Sequence, residues 1–176
     1  ATFLFIIILV FFIADFFLGR WLDYLNTLYW SNELPGELKG IYDSEKYAKS
    51  QDYEKAKHSF SNWVSIISFM AMLIFLFNQG FAIVDNWAYS FSDNPIIIAI
   101  IFFGVLGFAS DILTLPFQIY SQFVIEEKFG FNKTTVRTFI LDKFKAWLLA
   151  IIIGGGLLSL LTWIYYSSGS YFWIIA

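Results

Sequence analysis

"FVIEEKFGFNKTTVRTF", residues 123–139, lies between two long apolar runs and is dense in signals that end one helix and begin another. Gly130 stands where a helix closes on a left-handed residue, and Lys128 complements the negative end of the helix dipole. Asn132 is a strong N-cap for the helix that follows. Phe131 then falls at N′ and Val136 at N4, the pair that makes a hydrophobic staple. Gly130, Phe131 and Asn132 therefore read as a tight turn between two helices that return side by side. Glu126 and Glu127 do not fit so simply. They are acids at a helix C-terminus, where the dipole disfavours them, and that mismatch points to a partner outside the hairpin.

Outward from this corner the sequence reads as membrane. Of 176 residues, 59% are hydrophobic and 22% aromatic, against about 45–50% apolar in soluble domains. Four apolar runs, about 2–18, 60–84, 95–117 and 146–166, have roughly the 17–25 residues that a bilayer-crossing helix needs. The first is not expected to be a cleaved signal peptide: it has no basic start and no small-residue cleavage site, and Asp15-Phe16-Phe17 follows instead. "YFWIIA" (171–176) reads as the start of a fifth span. The expected fold is all-α: a polytopic membrane protein with four transmembrane helices plus the start of a fifth, and helices extended into the cytoplasm. The chain opens on Ala1 without Met and closes inside an apolar segment, so residues 1–176 are expected to be one membrane domain of a longer protein.

Charge sets the expected orientation. Arg20, Lys39, Lys46, Lys49, Lys55 and Lys57 lie between the first two runs, and Lys128, Lys133, Arg137, Lys143 and Lys145 between the third and fourth. The positive-inside rule places segments 19–59 and 118–145 in the cytoplasm and the N-terminus outside. Within the first segment "NELPGELKG" is a loop. Asp43 or Ser44 then caps a helix predicted from about Ser44 to Phe77, with Tyr53, Ala56, Phe60, Trp63 and Ile67 as its apolar stripe. Pro116 is expected to kink the third span.

The residue inventory narrows the chemistry. No cysteine is present, which excludes disulfides, iron–sulfur clusters and thiol catalysis; His58 is the only histidine. No run of Lys or Arg suggests nucleic acid. Asp15 and Asp111 are the ionisable residues well inside apolar runs, both near the inner interface. Such acids are costly and functional by default; here they are either structural polar contacts and chamber wall, or substrate- and water-handling groups. The glycosylation sequon at Asn132 falls on the cytoplasmic side and is not expected to be used. Gly154-Gly155-Gly156 is expected to allow close helix approach, with a lumen-facing gap as the alternative. Several tryptophans, among them Trp21, Trp30, Trp87 and Trp163, suit interface anchors.

"FVIEEKFGFNKTT" resembles the signature in the membrane half of type I CAAX prenyl proteases, the zinc metalloendopeptidases related to the yeast a-factor-converting enzyme. "YDSEKYAKSQDYEKAKHSFS" (42–61) and "LPFQIYSQF" (115–123) are similar to that family's first cytoplasmic segment and third span, in the same order. The resemblance covers most of residues 30–176. It implies a helical membrane enzyme around a large water-filled chamber, with zinc held on the cytoplasmic side by an H-E-x-x-H helix and a later Glu. The implied mechanism is attack of metal-activated water on a peptide carbonyl. Substrates are prenylated C-terminal peptides in eukaryotic members and other membrane-associated peptides in bacterial ones.

This chain departs from the family pattern in having no H-E-x-x-H, its one histidine lying in "KAKHSFS". No catalytic or metal residue carries over. The zinc domain is expected after residue 176, and the segment alone is expected to be inert. Its expected partners are the lipid bilayer, its own carboxy-terminal zinc protease domain and a peptide substrate, prenylated or not. Glu126, Glu127, Lys133 and Arg137 are candidates for salt bridges to that domain or for substrate contact. Residue usage suits a bacterial inner membrane, or the endoplasmic reticulum if the source is eukaryotic. Two rival readings stand beside this one: a small transporter or channel subunit with Asp15 and Asp111 lining a path, and a non-catalytic membrane scaffold.

Overall fold

A computed structural model of the chain describes residues 2–31, 33, 34, 36, 40, 43–169 and 172. The expected start of a fifth span (Phe172 apart), Pro35 of the expected loop and Lys39 lie outside the described residues. Among the described residues five helices follow one another: α1 (Thr2–Thr27), α2 (Ser44–Phe77), the short α3 (Gly80–Tyr89), α4 (Pro95–Phe129) and α5 (Val136–Ser168). All but α3 are long and apolar enough to cross a bilayer. No strand occurs among the described residues. The protein is an all-α, polytopic membrane fold.

The chain divides into two compact units, Ala1–Phe69 and Met70–Ala176, with the boundary inside α2. In the first, α1 and α2 run antiparallel. Phe12 and Phe16 stack on Phe69 with ring centroids 5.1 and 3.9 Å apart. Further along, the Arg20 guanidinium donates to the Asn62 amide oxygen, and the Asn62 amide nitrogen meets His58 Nδ1 at 3.2 Å. Trp30 sits edge-on to His58, 4.9 Å between ring centroids. Asp43 caps α2, its carboxylate accepting from Glu45 N at 2.9 Å. The face of α2 that meets α1 thus carries His58, Asn62 and Phe69. Of the stripe expected from the sequence, Trp63 is 65% and Ile67 47% exposed, so these two side chains are left to the exterior.

In the second unit the apolar run expected to span 60–84 breaks. Helix α2 stops at Phe77, Gln79 takes a left-handed conformation (φ 56°), and α3 starts at Gly80. Phe75 explains why residue 80 is glycine: a Cβ there would sit 2.3 Å from the Phe75 ring. Asn94 then caps α4, its side chain accepting from Ile96 N at 2.9 Å, with Pro95 in the first turn where its missing N–H costs nothing.

Both long helices of this unit change winding midway. Helix α4 contains Pro116 and is π-helical over Ser121–Glu126; α5 is π-helical over Ala150–Gly154. The fully packed apolar side chains among the described residues are few: Ala88, Ile98 and Ile125. Large apolar groups such as Ile151 (71% exposed) and Phe3 (78%) face outward. In water such a surface would be untenable; in lipid it is the expected exterior.

Candidate functional site

The turn quoted at the outset ends α4 in a Schellman motif. Gly130 has φ 77°; its N–H donates to Glu127 O at 3.0 Å and that of Phe131 to Glu126 O at 2.9 Å. The next helix does not start at Asn132. Its cap is Thr135, whose side chain accepts from Thr138 N at 3.2 Å, so Phe131 and Val136 do not hold the N′ and N4 positions of a staple; they are 49% and 61% exposed. Asn132 instead ties the loop together. Its amide oxygen accepts from Gln122 Nε2 (2.7 Å) and Thr134 N (2.8 Å), and its amide nitrogen donates to Glu127 Oε2 (2.9 Å). Glu126 accepts from Gln122 at 3.2 Å. The two acids that looked misplaced at the helix end therefore have amide donors from within the loop. Lys133 and Arg137 are exposed and form no ion pair among the described residues.

Asp111, midway along α4, gathers partners from α5. Lys143 Nζ lies 2.6 Å from Oδ1, Trp147 Nε1 donates to Oδ2 at 2.8 Å, and Gln118 Nε2 reaches Oδ1 at 3.4 Å. The Lys143 and Asp111 side chains are 19% and 26% exposed, against 71% and 59% for Lys145 and Asp142. Only the first pair is shielded enough to matter to the fold: exposed pairs contribute about 0–1 kcal/mol. Breaking a shielded pair strands a charge. Thr114 Oγ1 accepts a second bond from Gln118 at 3.0 Å, so the polar groups of α4 form one chain from Asp111 to Gln118.

The contacts also fix how α4 and α5 run. Phe108 meets Trp147 and Asp111 meets Lys143, an antiparallel register. Phe123 meets Phe139 nearer the turn. Between those levels α4 spends twelve residues and α5 only four, so α4 does not lie flat along α5 there. Pro116 and the π segment occupy that stretch. The corner is wider than a tight hairpin, with residues 131–135 non-helical.

Beyond the ion pair lies an open groove of about 680 Å³, with Asp111, Lys143 and Trp147 at one end and Ile100 and Leu158 at the other. Gly104, Gly107, Gly154 and Gly155 line it, and a Cβ added at any of the four would meet nothing within 4 Å. Helix α4 and the Gly155–Ser168 part of α5 do approach closely, as expected of the glycine run, while Gly154, Gly155 and Gly156 themselves face open space. Asp15, by contrast, is an exposed residue of the first unit, with no ion pair among the described residues. No group of three or more His, Cys, Asp or Glu side chains among the described residues is placed to hold a metal ion, and His58 is engaged by Asn62 and Trp30. The zinc implied by the resemblance does not fit these residues.

Sequence reasoning missed Lys143, Trp147 and Gln118 as partners of Asp111. One signal was available: Lys143 and Trp147 are four apart and share a helix face.

Helices of this length, an intramembrane acid neutralised from a neighbouring helix and an apolar exterior define an integral, multi-pass membrane domain. Residues 24–176 match the family described as "CAAX prenyl protease N-terminal, five membrane helices", and the chain belongs to that family. It is 34% identical to CAAX prenyl protease 1 of Saccharomyces cerevisiae, over 88% of this chain and 37% of that protein. It is 32% identical to a Dictyostelium discoideum homolog, over 96% and 41%. The crystal structure of S. mikatae Ste24p is similar with a TM-score of 0.83 and 34% identity, over 94% of this chain and 40% of that one. The chain thus spans about two-fifths of the length of the relatives it matches. These relatives are eukaryotic, so the expectation of a bacterial source finds no support.

Proposed function

We propose that this chain is the membrane part of a zinc-dependent endopeptidase that cleaves membrane-associated peptides, including prenylated CAAX-type peptides. In this reading it supplies the wall of a chamber in the membrane and none of the catalytic groups. Zinc and the groups that use it belong to the remainder of the protein, which relatives more than twice as long as this match would carry. The observation that carries the reading is the family match over residues 24–176, supported by a helical arrangement similar to that of S. mikatae Ste24p. Under it Asp111 braces the wall through Lys143, and Asp15 contributes to the chamber. Glu126, Glu127, Lys133 and Arg137 face the zinc domain or the substrate from a cytoplasmic turn, in an endoplasmic-reticulum membrane.

The test is cleavage by the full-length protein. Purified enzyme should cut a farnesylated C-terminal peptide, lose that activity to a chelator and regain it with zinc. Intact peptide after zinc restoration would leave the scaffold reading, which predicts no cleavage and a co-purifying partner. The transporter reading predicts flux across vesicles that fails in Asp111→Asn.

A further inference from the structure

The polar contact between α1 and α2 turns on one amide that serves two partners. An arginine can only donate hydrogen bonds, so the atom of Asn62 that meets Arg20 is its oxygen. The amide nitrogen is then the atom turned to His58 Nδ1, 3.2 Å away, and an amide N–H can only donate. His58 Nδ1 must therefore accept, which requires a neutral imidazole with its proton on Nε2. Arg20 is itself held in place: its other terminal nitrogen lies 2.5 Å from the Asp23 carboxylate, and its guanidinium sits 5.9 Å from the Phe16 ring centre. Arg20 thus fixes which way the amide faces, and the amide fixes the tautomer of the ring.

A proton on His58 breaks this arrangement. The imidazolium carries N–H on both nitrogens, so two donors would face each other across the 3.2 Å contact. Turning the amide over gives the ring an oxygen but points the amide nitrogen at Arg20, a second pair of facing donors. Arg20 cannot give way by losing its own proton. The charges of α1 at this level are Arg20 and Asp23, already paired with each other, and Trp30 carries none. On α2, Glu54 and Lys55 precede His58 by about one turn and are opposite in sign, while Lys57 reaches back to the Tyr53 hydroxyl at 3.3 Å. We propose that Arg20, Asn62 and His58 form a proton-operated latch between α1 and α2. It is closed while His58 is neutral and loses one of its two bonds when His58 is protonated. Histidine is the side chain whose ordinary charge change falls between about pH 5 and 8, so the latch is present above that range and lost as pH falls through it. His58 and Asn62 are half-buried, which leaves the ring within reach of solvent protons. Release frees the end of the helix pair that carries Trp30, because the stacks of Phe12 and Phe16 on Phe69 contain nothing that titrates. The inference rests on this helix pair alone and not on peptidase activity.

The full-length protein in nanodiscs, freed of other cysteines, can carry nitroxide pairs at two levels: Tyr24→Cys with Ser59→Cys near the latch, and Phe11→Cys with Ile67→Cys near the ring stack. All four native side chains are exposed. Between about pH 8 and about pH 5 the first distance should lengthen or broaden by several Å while the second stays fixed. His58→Gln supplies a neutral acceptor at every pH and should hold the first pair at its short distance throughout. Asn62→Leu should leave that distance long at both ends of the range. Nitrogen NMR shifts of the His58 ring, assigned by their loss in His58→Gln, should show the neutral ring protonated on Nε2. Three results would overturn the proposal: a first distance that ignores pH, a pH response that survives in His58→Gln, or a neutral ring protonated on Nδ1.

Discussion

Lys143 Nζ of α5 sits 2.6 Å from Asp111 Oδ1 of α4, and Trp147, one turn further along α5, donates to the other oxygen of the same carboxylate. A single acid is thereby clamped by two residues of the returning helix. Lipid offers no water to solvate either charge, so the clamp is the condition on which an acid can occupy that depth.

Removing one member should therefore cost more than removing both. Asp111→Ala leaves Lys143 uncompensated and is expected to lower stability by about 1–3 kcal/mol, below the full figure for a buried pair because these side chains are partly exposed. The double variant Asp111→Asn/Lys143→Gln should recover part of it. The same cycle on Asp142 and Lys145 should give less than about 0.5 kcal/mol. Unfolding of the detergent-solubilised protein followed by helical circular dichroism measures both; equal coupling energies would show that the clamp carries no special weight.

The α2–α3 corner makes a prediction of opposite signs at adjacent positions. Gln79 has φ 56°, so Gln79→Gly relieves a left-handed side chain and should stabilise by about 0.5–1 kcal/mol. Gly80→Ala drives a methyl into the Phe75 ring and should destabilise by about 1–3 kcal/mol. The order of the two melting temperatures is the readout.

Hydrogen exchange can separate the roles of Asn132 and Thr135. Thr135→Ala should speed exchange at the Thr138 amide and cost about 1 kcal/mol, the usual value of an N-cap. Asn132→Ala should speed exchange at Thr134 and loosen Gln122 and Glu127, leaving Thr138 protected. If Asn132→Ala exposed Thr138 instead, Asn132 would be the cap after all.

In the first unit, Asn62→Leu removes the acceptor of Arg20 and the donor to His58 together. It should loosen the α1–α2 contact near Trp30 while leaving the Phe16–Phe69 stack in place. Cross-linking of paired cysteines introduced at each level would report the two ends separately.

Legibility in the sequence followed physical range. Apolar runs of bilayer length announce themselves residue by residue, and Ser44–Phe77 could be bounded because its cap and its stripe are local. What was not legible is that residues 80–84 leave the span: the run expected over 60–84 is interrupted at Asn78-Gln79, where a left-handed backbone turn is seated against Phe75. Asn132 and Thr135 are both good caps, and only the bonds that Asn132 accepts from Gln122 and donates to Glu127 decide between them. The partner of Asp111 was out of reach for a geometric reason. A tight turn at Gly130 would set Asp111 opposite a residue about as far beyond the turn, near 150, in apolar sequence. The non-helical link and the stretch around Pro116 shift the register to Lys143.

A π turn holds about one more residue than an α turn, so everything after Ala150–Gly154 is swivelled by about 100° relative to uninterrupted α winding. Deleting one residue from that stretch would therefore open no gap in the chain. It would rewind α5 as plain α-helix with Gly155 still on the groove, while Lys143 and Trp147, upstream, kept their grip on Asp111. In this helix one residue can be lost without any change of facing.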